Sequence, residues 1–63
     1  MKYNYAFRTI RSTKQLTQKE LADFANVSAG YISKIEKGEK VPTLEVIEKI
    51  CEGTNIPCLL YTS

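Results

Sequence analysis

A chain of 63 residues holds one domain at most and buries only roughly 60% of its unfolded surface. With 43% apolar and 25% charged residues it reads as a globular domain; no stretch resembles a membrane span or a secretory leader, so a cytoplasmic location is expected. The net charge of +2 is unevenly spread: Lys2, Arg8, Arg11 and Lys14 come first with no acid among them, a second basic region lies around Lys34–Lys40, and Glu45, Glu48 and Glu52 with Lys49 make the last third acidic, so a polyanion is expected to approach the first two regions and avoid the third.

The first helix is expected over about residues 4–13, with Tyr3, Phe7 and Ile10 spaced as an apolar stripe. Thr17 with Glu20 three residues later forms a capping-box signal for a second helix that turns Leu21, Ala22, Phe24 and Ala25 inward. Asn26 and Val27 end it. Ser28 caps a third helix running to about Lys37, whose inward residues are Ile32 and Ile35, and Gly38 is its left-handed terminator. After a short loop, Thr43 caps a fourth helix with Leu44, Val46, Ile47 and Ile50 inward, and Gly53, Thr54 and Asn55 stop it. Pro57 allows one further helical turn in an apolar tail containing Leu59, Leu60 and Tyr61. With no strand pattern, repeat or linker, the fold is expected to be all-α, with four to five short helices in a single domain over residues 1–63.

Chemistry is constrained by what is missing. The chain has no histidine, and only Cys51 and Cys58, which are read as reduced and partly buried. A structural zinc site is therefore not expected, nor is any other metal or cofactor. The commonest general base is absent and no glycine-rich phosphate loop or inward carboxylate cluster appears, so no enzymatic activity is expected.

The third helix carries the informative pattern. At about 100° per residue, Ile32, Ile35 and Ser28 share one side, and Gly30, Ser33, Lys34 and Lys37 share the opposite one, flanked by Ala29 and Tyr31. Such a face offers hydroxyl, ammonium and bare backbone to a partner. Lys34 can donate to guanine, Ser33 can donate or accept, and Ala29 and Tyr31 can touch a thymine methyl. A solvated helix face gives the same pattern. Gly30 is costly inside a helix, by roughly 1 kcal/mol relative to alanine; close approach of a backbone or base edge would account for it, and so would simple drift.

The run Leu16-Thr17-Gln18-Lys19-Glu20-Leu21-Ala22, followed by Val27-Ser28, by Ile32-Ser33-Lys34-Ile35-Glu36-Lys37-Gly38 and by Pro42-Thr43, resembles the Cro and phage-repressor helix-turn-helix family, the XRE family. The resemblance spans about residues 7–56, with the helix-turn-helix at about 17–37, and implies a lambda-repressor-like domain that binds double-stranded DNA. It implies base-facing positions at Ala29, Gly30, Ser33 and Lys34, with Tyr31 beside them. It also implies phosphate contacts by Gln18, which would brace the third helix as well, by Lys37 and Lys40, and by the amides at the Thr43 helix start. Arg8 joins that basic rim. Arg11 and Glu36 match a structural pair tying helix one to the end of helix three.

Ala29 and Gly30 depart from the family, which often carries hydrogen-bonding side chains there. Recognition then rests more on Tyr31, Lys34 and DNA shape. The tail also departs: Leu59, Leu60 and Tyr61, with the exposed side of helix four, are the candidate homodimer surface, and closure of the core by the tail is the equal alternative. The expected function is a sequence-specific transcriptional regulator, a repressor or controller, working as a dimer on half-sites about 34 Å apart. The competing reading is a protein-interaction module on the same scaffold, such as an antitoxin subunit, which need not keep Arg8, Lys34, Lys37 and Lys40 on one side.

Overall fold

The computed structural model describes residues 3–56 and contains four helices: α1 (Tyr3–Lys14), α2 (Gln18–Ala25), α3 (Ala29–Glu36) and α4 (Leu44–Thr54). None is long and apolar enough to cross a membrane. The expected tail surface at Leu59, Leu60 and Tyr61, the further turn from Pro57, and Cys58 lie outside the described residues.

Three helices start in the same way. Thr17, Ser28 and Thr43 adopt extended backbone, and each side-chain oxygen accepts the N–H three residues on, from Glu20, Tyr31 and Val46. At α2 the capping box is complete, because the Glu20 carboxylate accepts the Thr17 N–H at 2.8 Å. Each reciprocal bond satisfies an amide that the helix itself cannot, an effect of about 1 kcal/mol per cap.

All four helices also end alike. Gln15, Asn26, Gly38 and Asn55 take left-handed backbone, with φ of 56°, 56°, 80° and 60°. The next residue then donates to the carbonyl five positions back: Leu16 to Arg11, Val27 to Ala22, Glu39 to Lys34 and Ile56 to Cys51, at 2.9–3.1 Å. This is the Schellman closure, and its usual companion is an apolar contact from that donating residue. Leu16, Val27 and Ile56 supply it by packing against the core. Glu39 does not: the exit of α3 is polar, and Gly38 to Val41 is exposed throughout. The chain therefore leaves α3 away from the core.

The core gathers Phe7 and Ile10 from α1, Leu21, Ala22 and Ala25 from α2, Ile32 and Ile35 from α3, and Val46 and Ile50 from α4. Helix α2 packs on both α3 and α4, while α1 packs on α3, so α3 is gripped from two sides. Two expected core residues are not enclosed. Phe24 stays 39% exposed because it lies at the edge of α2 and covers Gly53 of α4 instead of entering the centre. Leu44 is 64% exposed: as the first residue of α4 it stands beyond the enclosed part of the core. Cys51, by contrast, is buried at 3% exposure.

Candidate nucleic-acid interface

The inner side of the site is a polar latch. Glu36, the last residue of α3, is only 6% exposed although it is an acid on a surface helix. Its Oε2 accepts from Arg11 Nε at 2.6 Å and its Oε1 from Arg11 Nη2 at 2.9 Å, a two-pronged guanidinium–carboxylate match. Gln18 Nε2 adds a third bond to Oε1 at 3.2 Å. The remaining Arg11 nitrogen, Nη1, donates to the Leu16 carbonyl at 3.2 Å in the α1–α2 connection. A burial penalty this large is sustained only when every oxygen of the carboxylate is engaged, as it is here.

The Arg11 pKa is raised, chiefly by its hydrogen bonds to Glu36; burial opposes the rise and the charge attraction of the same carboxylate adds to it. Arg11 therefore keeps its charge, and the latch joins the end of α1, the start of α2 and the end of α3. Gln18 reaches this cluster from the first position of α2 and gives one amide proton to Glu36.

The outer side of α3 is left open. Gly30, Lys34 and Lys37 are exposed, while Ala29 and Ser33 are half-buried beside them. Gly30 is in the first turn of α3, not its interior, so its conformational cost is below that of a mid-helix glycine. A Cβ there would meet only Ser28 Oγ, at 3.8 Å, so nothing inside the domain requires glycine. Tyr31 is different from its neighbours. Its ring packs partly against the core, and Lys40 Nζ stands 5.4 Å from the ring centroid.

The other residues expected at the DNA backbone come from separate segments of the chain. Lys37 caps the C-terminal end of α3, Lys40 rises from the exposed loop, and Thr43 Oγ1 is engaged in capping Val46. Arg8 is on the exposed face of α1, where it lines a shallow groove with Tyr5, Thr9, Ser12 and Thr13 and donates Nε to the Asn4 carbonyl at 3.3 Å. Sequence spacing alone gave no sign of the Gln18–Glu36 bond, the Arg11–Leu16 bond or the Tyr31–Lys40 stack. Each crosses a turn or joins two helices, and no helical period reports such pairs.

Helix α3 is thus held at its end by a buried latch and leaves Gly30, Lys34 and Lys37 exposed. The HTH_3 helix-turn-helix model matches residues 7–60. The chain belongs to the helix-turn-helix family.

Among its relatives, transcriptional regulator ClgR of Mycobacterium tuberculosis is 40% identical over 50 residues, covering 79% of this chain and 45% of that protein. The HTH-type transcriptional repressor RghR of Bacillus subtilis is 41% identical over 51 residues, 79% of this chain and 38% of the repressor. The crystal structure of the clp gene regulator ClgR from Corynebacterium glutamicum superposes with a TM-score of 0.86 at 30% identity, over 95% of this chain and 64% of that one. The chain thus spans less than half the length of the curated relatives it matches.

Proposed function

We propose that this helix-turn-helix chain is a DNA-binding transcriptional regulator that presents α3 to the major groove. The observation that carries the reading is the two-sidedness of α3. Glu36 is locked from within by Arg11 and Gln18, while Gly30, Lys34 and Lys37 are exposed on the other side. Rigid support behind a reading helix lowers the ordering cost of each base contact. The names of the relatives, a regulator and a repressor, support the same class of function.

In this reading Ala29, Gly30, Ser33 and Lys34 lie over base edges. Lys37 and Lys40 meet phosphates, with Gln18, Arg8 and the Thr43 amides along the rim. One α3 offers few hydrogen-bonding side chains, so a homodimer on two half-sites about one turn apart supplies the remaining specificity. Repression by occupying a promoter is the simplest output.

Fluorescence anisotropy with a labelled random-sequence duplex across a salt series tests the reading. Binding that weakens linearly in log–log form, with a slope of about −0.9 per phosphate neutralised, is the expected result. No binding at the lowest salt would overturn it. On a bound duplex, analytical ultracentrifugation is expected to show two copies; a single copy would remove the dimer from the proposal.

A further inference from the structure

We propose that Tyr31 is the platform that positions Lys40 for a phosphate of the DNA backbone, and not a reader of a base. The inference rests on the DNA-binding reading above. Lys40 belongs to the Gly38–Val41 segment, which is exposed throughout and enters through the left-handed Gly38. A lysine on such a loop loses considerable rotamer freedom when it grips a phosphate, and that loss weakens the contact unless something restricts the side chain beforehand. Tyr31 supplies the restriction. Its backbone N–H is fixed by Ser28 Oγ at 3.1 Å, and its ring is half-buried against the core. The ring is thus a stationary surface, not a mobile probe.

The Lys40 ammonium sits 5.4 Å from the centroid of that ring, within the roughly 6 Å over which the negative aromatic face attracts a cation. Two consequences follow from this one contact. The ring face under the ammonium is occupied, so that face is not free for a thymine methyl. The ammonium has three N–H donors and the ring accepts only from one side, so donors remain for a phosphate oxygen. The stack also folds the α3–α4 loop back toward the start of α3, nine residues earlier in the chain, and sets a positive charge beside the exposed face that carries Gly30 and Lys34. Lys40 therefore contributes orientation and affinity without sequence preference, and Tyr31 acts through it as a positioning residue.

The test compares wild type with Tyr31→Leu, Tyr31→Phe, Lys40→Ala and the double variant Tyr31→Leu/Lys40→Ala, each bound to a selected duplex and to a scrambled one. Tyr31→Leu keeps an apolar group on the core and loses the aromatic face; its thermal melt reports whether it is folded. It is expected to weaken both duplexes alike, by about two- to five-fold. It is expected to add nothing once Lys40 is alanine, and Tyr31→Phe is expected to bind like wild type. In the free protein, the Lys40 Hε resonances are expected upfield through the ring current, and to return to ordinary values in Tyr31→Leu.

Losses that multiply in the double variant would overturn the proposal, as would loss of discrimination at one base pair in Tyr31→Leu or Tyr31→Phe. Ordinary Lys40 shifts in wild type would overturn it without touching the DNA reading. Failure of wild type to bind either duplex would instead remove the DNA reading and this role with it, even if the upfield shift were present.

Discussion

Arg11 and Glu36, 25 residues apart, meet edge to edge through bonds of 2.6 and 2.9 Å, and the carboxylate between them and Gln18 is almost fully enclosed. That contact decides the pose of α3. Helix α3 is only eight residues long, too short to hold a direction by itself, so its angle is set by what grips its ends. Leu21, Ile32 and Ile35 fix it through the core; Glu36 fixes its last turn.

Removing one partner leaves a buried charge with too few donors. Arg11→Ala is expected to destabilise the domain by about 3 kcal/mol, at the lower end for a broken buried pair because the Arg11 side chain is 26% exposed and Gln18 still donates. A chain of this length has only about 3–9 kcal/mol in total, so the variant should melt far earlier. Arg11→Lys keeps the charge but not the fork to Glu36 and Leu16, and should recover less than half of the loss. Urea denaturation followed by circular dichroism measures both; equal midpoints for wild type and Arg11→Ala would show that the latch is not structural.

The two helical glycines should respond in opposite directions. At Gly30 an added Cβ meets only Ser28 Oγ at 3.8 Å, so Gly30→Ala is expected to stabilise by about 0.5 kcal/mol while weakening duplex binding. At Gly53 the same atom would fall 2.4 Å from Phe24 Cδ1 and 2.9 Å from its Cβ, and the Cβ is an atom that no side-chain rotation can move clear. Gly53→Ala is therefore expected to destabilise by about 1–3 kcal/mol despite alanine's better helix propensity. Melting temperatures and duplex affinities of the two variants check the pair; tighter DNA binding by Gly30→Ala would mean that no close approach occurs there.

The helix ends make a third comparison. Gln15 holds φ of 56° with a full side chain, a conformation that costs a non-glycine residue about 1 kcal/mol or more. Gln15→Gly is expected to raise stability by about 0.5–1 kcal/mol. Asn26 sits at the same φ, but asparagine tolerates it, so Asn26→Gly should be close to neutral. Denaturant midpoints that shift equally for both would contradict this account of the caps.

Salt dependence separates the lysines. Lys37→Ala should weaken every duplex by a similar factor and reduce the salt slope by about one unit. A loss confined to one sequence would place Lys37 on a base.

Much of the fold was legible because it is local. Thr17, Ser28 and Thr43 before apolar runs, and Gly38 after one, report on backbone amides and carbonyls within a turn of themselves, so a single sequence exposes them. Gln15 gave no such signal, since nothing in its side chain favours the left-handed region. Periodicity gives a direction but not a depth: it turns Phe24 and Leu44 toward the core, yet one stops at Gly53 while the other projects past the packed end of α4. The link between Arg11 and Glu36 entered only through family resemblance, because without it Glu36 reads as an exposed acid. Lys40 over Tyr31 was invisible for a related reason: its geometry depends on how Gly38 redirects the chain.

The outer face of α3 is expected to read sequence, and Lys34 is its exposed polar centre. The direct measurement is selection from a randomised duplex library at two salt concentrations, by wild type and by Lys34→Ala, with sequencing of what is retained. Wild type is expected to enrich a two-fold motif, and Lys34→Ala to lose preference at one position of each half-site, by about 1–3 kcal/mol, with the rest of the motif intact. Retention without any enriched motif, or an unchanged motif in Lys34→Ala, would contradict it.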